Sequence, residues 1–166
     1  ISETDGHIPM IVLQKNKLSE KFMSIYSEKF DFTPYRENYE YIYSSGKLAT
    51  LSGKKMHQKR NHISSFSKKY DWHFELLNDS NVDDALNISK KWFEQKGISN
   101  NDLPYFECSE LKELYKNKDK LSLIGGVLYV DDIPVAYTLG SPVNDYVFAT
   151  HSEKVLDGFQ TAYSVI

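Results

Sequence analysis

Cysteine is nearly absent: Cys108 stands alone among 166 residues. One thiol excludes an internal disulfide and cannot by itself build a zinc site, a usage that fits a reducing cytosol. An excess of charge of one sign is also lacking. With a formal net charge of −3, the chain as a whole has no polyanion-binding character, and any such affinity must come from a local patch. No uninterrupted apolar run approaches the roughly 20 residues that cross a bilayer. The polar, acidic start from Ile1 to His7 does not read as a signal peptide. Neither a Walker-type phosphate loop nor a GxGxxG turn occurs. The chain begins without Met and ends in the apolar run Ala162-Tyr163-Ser164-Val165-Ile166, which suggests an excised fragment.

What is present is the composition of one folded domain. Hydrophobic residues make up 40% and charged residues 26% of the chain, a balance that argues against disorder and membrane classes. Aromatic residues reach 14%, with 12 Tyr and 9 Phe. Such side chains suit pleated, half-buried surfaces and point to a substantial sheet.

Periodicity gives a mixed order of elements. Residues 8–13 read as a buried strand, and Leu18, Phe22, Ile25, Tyr26 and Phe30 recur at helical spacing across 18–29. Tyr39, Tyr41 and Tyr43 alternate as in a strand. Residues 46–52 allow a helical turn or two before Gly53, and 54–70 reads as a helix with Met56, Ile63, Phe66 and Tyr70 near one face. A strand over 72–77 precedes a helix opened by Asp79, Ser80 and Asn81 and ended by Gly97. A polar loop over 98–104 leads to a helix at 108–117. Three strands follow, at 121–130, 133–139 and 145–151, with turns at Asp131-Asp132 and at Ser141 to Asn144. Asp157-Gly158 opens a last helix through Ala162 to Ile166.

Three stretches could carry chemistry. Lys54, Lys55, His57, Lys59, Arg60, Asn61 and His62 form a dense basic segment, able to grip phosphates by charge and by bidentate Arg contacts. It could equally be a solvated helix face. His57 and His62 miss the i, i+4 spacing of a helical zinc pair, so no metal site is read there. At the end of the last strand, His151 and Glu153 would share a face and could move a proton, His151 as base and Glu153 as its orienter or as a base itself; a structural or solvent-exposed placement is the rival reading. Gly158 lies where helix N–H groups could meet an anion, though ordinary capping is its plainer role. Cys108 sits near a helix start but has no partner base.

Taken together, these segments resemble one family. Tyr41-Ile42-Tyr43-Ser44, Leu48, Leu51-Ser52-Gly53-Lys54-Lys55, His57 and Lys59 through Ile63 to Phe66 are similar to its tyrosine-rich and KRNH blocks. Gly125 to Leu128, Val135 to Gly140, and His151, Glu153-Lys154 with Gly158 to Tyr163 resemble its hairpin and its closing segment. The family is that of the phosphatidylglycerol lysyltransferase C-terminal domain. The resemblance implies an α/β fold of the GNAT-like acyltransferase type, in a tandem arrangement truncated at both ends. Residues 1–52 would be the tail of the first repeat with its crossover, and 53–166 the second repeat, lacking a completing strand. It further implies a transferase that moves an aminoacyl or acyl group from an activated ester to an amine or hydroxyl, a lipid head group among the acceptors. Aminoacyl-tRNA or acyl-CoA would be the co-substrate, with no tightly bound cofactor. Lys54, Lys55, Lys59 and Arg60 would hold the phosphates of a tRNA acceptor end, a coenzyme A or a lipid head group. His57, Asn61, His62 and Gly158 complete that binding set, while His151 and Glu153 would face the reacting carbonyl. Such a protein would be cytoplasmic, docking at the inner face of a membrane where the acceptor is a lipid. The alternative keeps the fold without the reaction, as a binding or regulatory module. The discriminating geometry is whether the basic helix and the His151–Glu153 strand end line one cleft; on opposite faces, the mechanism that joins them at one ester fails.

Overall fold

Alternation along strands that are apolar on both faces calls for cover on both sides of a sheet, and residues 44–166 supply it. The computed structural model describes residues 17–33, 42–98 and 106–166. They fall into two units, Ile1–Tyr43 and Ser44–Ile166. In the first, helix α1 (Lys17–Tyr26) ends three residues short of the expected boundary, at Tyr26 rather than 29. Its Phe22 ring lies 4.5 Å from that of Tyr26 and meets Phe32 edge-on at 6.3 Å. The strand expected at 8–13 lies outside the described residues, as do Tyr39 and Tyr41. Ile42 and Tyr43 are not in a strand.

The second unit is a four-stranded antiparallel sheet in the order β1-β2-β3-β4: β1 (Trp72–Leu76), β2 (Ile124–Val130), β3 (Ile133–Asn144) and β4 (Val147–Val155). Helices α2 (Ser45–Thr50) and α3 (His57–Lys69) precede the sheet, with a 3-10 turn at Lys54–Met56 between them. Between β1 and β2 run α4 (Val82–Gln95), α5 (Phe106–Lys116) and the short α6 (Lys118–Leu121). On one face Val127, Tyr137 and Leu139 pack with Ala85, Ile88 and Leu111 of α4 and α5. On the other, Leu128, Val130, Ala136 and Val155 pack with Phe66 of α3 and Ala162. Phe66 is 1% exposed; burying a side chain of that size contributes about 1.5–3 kcal/mol.

Local chemistry sets the joints. Asp131 and Asp132 take φ of 50° and 61°, the two left-handed residues that a tight two-residue hairpin with native twist requires. Gly97, at φ 69°, closes α4: its N–H donates to the Glu94 carbonyl and that of Ile98 to Phe93, both at 3.0 Å. Two expectations are corrected in this region. Residues 121–123 are not strand, because α6 runs to Leu121 and turns at Ser122 with φ 49°. The β3–β4 turn is not at Ser141 to Asn144; β3 continues to Asn144, with Gly140, Ser141 and Pro142 paired to Thr150, Ala149 and Phe148. Gly140 permits this, since a Cβ there would run into the Ala149 carbonyl and the Phe148 ring. The closing helix is a 3-10 segment, Gln160–Ser164, capped by Phe159, so Gly158 at φ 96° precedes the helix and does not open it.

Asp79, just ahead of α4, ties down α5 and α6. It accepts from the Tyr115 hydroxyl at 2.6 Å and the Lys118 ammonium at 2.9 Å. The Tyr115 hydrogen bond, and then Lys118, hold the Asp79 carboxyl below its ordinary range. Burial, followed by the bond to Asp79, pushes the Tyr115 hydroxyl up.

Two outcomes follow from this packing. Gly140→Ala should lower stability by about 1–3 kcal/mol through overpacking, read as a lower urea midpoint. Because the folded pKa of Asp79 is depressed, its contribution is present above the unfolded carboxylate value and fades as pH falls through the folded one. Asp79→Asn should therefore lose less of its melting temperature than the parent on acidification below about pH 4, measured by circular dichroism across a pH series.

Candidate functional site

Extending β3 past Gly140 brings Ser141 alongside β4, where the register slips. Leu139 pairs with Ser152 and Gly140 with Thr150, so His151 is the extra residue of a β-bulge. The bulge resets the alternation. His151 and Ser152 both turn to the face covered by α4 and α5, whereas Glu153, paired with Thr138, lies on the α3 face and accepts from Thr138 Oγ1 at 3.3 Å. The expectation that His151 and Glu153 share a face is thus corrected, because period-2 counting does not survive an inserted residue.

On its own face His151 lines a cavity of about 370 Å³, with Glu110, Leu111 and Leu114 of α5, Leu121 of α6, and Leu139, Ser141 and Ser152 of the sheet. Ser141 Oγ lies 2.7 Å from His151 Nε2. In the tautomer with the proton on Nδ1, the serine hydroxyl donates to Nε2 and the imidazole is a proton acceptor aimed at the cavity. Beside this pair, the buried Tyr137 hydroxyl meets Ser152 Oγ at 2.8 Å. The leucines supply an apolar lining, and Glu110 is the one acidic residue in it. Neither Ser141 nor Glu110 stood out in the sequence. A regular hairpin centred on Asp145-Tyr146 would pair residue 141 with 150 and turn 151 to the other face; only the bulge, which has no signal of its own, brings them together.

The basic segment is elsewhere. Phe66 packs α3 against the opposite face of the sheet from the cavity, so α3 and His151 do not line one cleft, and the expected mechanism that brings the basic set and the His151–Glu153 pair to one ester is corrected. Several of its members are also engaged internally. Arg60 Nη1 donates to the Leu51 carbonyl and, at 3.0 Å, to that of Gly53, two residues whose φ values are 48° and 89°. His57 Nδ1 lies 3.3 Å from Asn61 Nδ2, and His62 Nδ1 lies 3.3 Å from Ser164 Oγ. Gly158 offers its carbonyl to the Tyr70 hydroxyl at 3.4 Å. Lys54 and Lys55 are exposed and Lys59 half-buried, and none of them has an ion-pair partner among the described residues. The Cys108 side chain lies outside the described ones.

Among the described residues no three His, Cys, Asp or Glu side chains converge as a metal site would need. No described helix is long and apolar enough to cross a membrane.

No curated protein matches the chain. A solved structure does: a conserved protein of unknown function from Bacteroides thetaiotaomicron VPI-5482, 32% identical, with a TM-score of 0.79 over 90% of this chain. The chain spans about half of that protein, 51% of its length. One family model runs through the basic, tyrosine-rich and hairpin segments. That model, described as phosphatidylglycerol lysyltransferase, C-terminal, matches residues 12–166, and the chain belongs to this family.

Proposed function

We propose that this chain is part of a transferase that moves an aminoacyl or acyl group from an activated ester to an amine or hydroxyl acceptor, with a lipid head group as the acceptor class. Family membership supports the reaction class. The observation that carries the reading here is the imidazole of His151, held by Ser141 at the wall of a leucine-lined cavity. Acyl transfer from an activated ester needs a positioned nucleophile and removal of one proton. His151 Nε2 takes that proton as the acceptor attacks the ester or thioester carbonyl, and returns it to the leaving oxygen or sulfur. In this reading His151 acts without Glu153, which faces the other way.

The sheet is the core of a GNAT-like domain, and the greater length of the Bacteroides protein supports a tandem partner. Lys54, Lys55 and Lys59 form a separate surface for a polyanion, an RNA end or a coenzyme A, on the other face of the sheet from His151, so they do not hold the ester at which His151 acts. Arg60, His57, Asn61, His62 and Gly158 shape that surface through their internal bonds. One observation favours a second reading, a binding module without turnover: the basic helix and the cavity lie on opposite faces of the sheet.

The test is transfer of label from a radiolabelled aminoacyl-tRNA pool, and separately from acyl-CoA, into vesicles containing phosphatidylglycerol. Transfer should fall by about 10²–10⁴-fold in His151→Ala. Retained tRNA binding with no transfer from either donor would move the protein to the binding-module reading. Replacing Lys54, Lys55 and Lys59 together with alanine should weaken single-stranded RNA binding and flatten its salt dependence. The logarithmic slope should drop by about 0.7 for each phosphate that the variant no longer neutralises, measured by fluorescence anisotropy over a salt series.

A further inference from the structure

The hydrogen bond that orients His151 also presents a nucleophile. We propose that Ser141 accepts the acyl group covalently, so that the cavity holds an acyl-serine intermediate bearing an apolar acyl substituent. This rests on the transferase reading of the same site and adds a step to it.

Three observations converge on Ser141. Its Oγ is 2.7 Å from His151 Nε2, within the reach a general base needs to activate a hydroxyl. Both side chains are fixed by backbone: Ser141 by its pairing with Ala149 and His151 by the bulge opposite Leu139 and Gly140. Both face a cavity of about 370 Å³ walled by Leu111, Leu114, Leu121 and Leu139, a volume at the low end of small-molecule sites, roughly 300–1,000 Å³. His62 and Ser164 also pair a base with a hydroxyl, at 3.3 Å, but neither lines this half-open cavity. The Tyr129 hydroxyl donates to Asp84 at 2.7 Å, and Asp79, Tyr115 and Lys118 satisfy one another beside the helices.

The chemistry balances within the site. Ser141 Oγ bonds to the ester carbonyl carbon as its proton passes to His151 Nε2. The carbon–oxygen bond to the leaving alcohol breaks, and that alcohol departs with the proton from His151. The acceptor amine or hydroxyl then attacks the acyl-serine, gives its proton to His151, and Ser141 leaves as the hydroxyl it was. The leucine walls take an apolar acyl substituent, and Glu110 is placed to receive an amino group where the acyl group is an aminoacyl one.

The test is stoichiometric acylation of the protein by p-nitrophenyl butyrate, followed by peptide mass mapping, with folding of each variant checked by circular dichroism. The expected result is a burst of p-nitrophenol with one butyryl group on the peptide carrying Ser141. That burst should be absent in Ser141→Ala and slower by at least about 100-fold in His151→Gln. Leu114→Trp, which fills the cavity, should slow butyrylation more than acetylation. Acylation mapped elsewhere, or an unchanged rate in His151→Gln, would overturn the proposal and leave the pair as a structural cross-strand bond. Full transferase activity in Ser141→Ala would likewise remove the covalent step while leaving direct transfer intact, whereas loss of transfer in His151→Ala but not in Ser141→Ala would locate the chemistry in the base alone.

Discussion

Strands β2 and β3 are covered on both faces, and the placement of everything else in residues 44–166 depends on that double burial. Val127 faces α4 and α5 while Leu128 faces α3, and Tyr137 and Ala136 divide in the same way. A strand buried on both sides cannot slip by one residue without exchanging its two cores, so register is strongly specified. The bulges fall where that rule would otherwise misplace a side chain. One lies between Leu128 and Tyr129, opposite Val135, a second opposite Leu139 and Gly140, at His151, and a third between Pro142 and Asn144. The second leaves Ser152 and Lys154 on the α4 face, where Lys154 Nζ lies 4.6 Å from the Trp92 ring centroid. It also adds one more residue, His151, to that face.

The cavity depends on this sheet and on how the helices opposite are held. Leu139 forms its floor, while Leu111, Leu114 and Leu121 form a wall that belongs to α5 and α6. Those two helices are secured through a polar clamp on Asp79, at the point where the chain leaves β1 for α4. The clamp is solvent-exposed, with Asp79 84% accessible, and exposed ion pairs are worth little individually. Its role is geometric: three side chains fix where a leucine wall stands, and Lys118 also lies over the Tyr115 ring at 4.4 Å.

Much of this was legible in the sequence because the strong signals were local. The left-handed Asp131-Asp132 turn, Gly97 at the end of α4, and the apolar stripe containing Ile88 and Phe93 each declare themselves within a few residues. The basic helix and its single buried face at Phe66 were equally readable. What could not be read is non-local. Pro142 and Gly140 look like turn residues, yet they sit in a strand because Phe148 needs the space a glycine leaves. The bulge at His151 has no composition of its own, so counting in twos assigned Glu153 to the wrong side of the sheet relative to His151. The Ser141–His151 pair follows only once both of those are known.

The same bulge bears on how binding and chemistry divide. The unpaired lysines of the 3-10 turn and α3 lie with the Phe66 core on one face, and His151 lies with the leucine cavity on the other. Charge attraction for a polyanion falls off over about 10 Å in moderate salt, and the sheet between them, with a core on each side, is not a water-filled path. In the reading proposed above, neutralising the lysines therefore changes polyanion binding without altering the environment of the Ser141–His151 hydrogen bond. Filling the cavity does the reverse. For the transferase proposed above, the first kind of change alters binding and the second alters the transfer step. Without the inserted residue in β4, His151 would pair with Gly140 and fall on the α3 face, so the separation of the two surfaces follows from one residue.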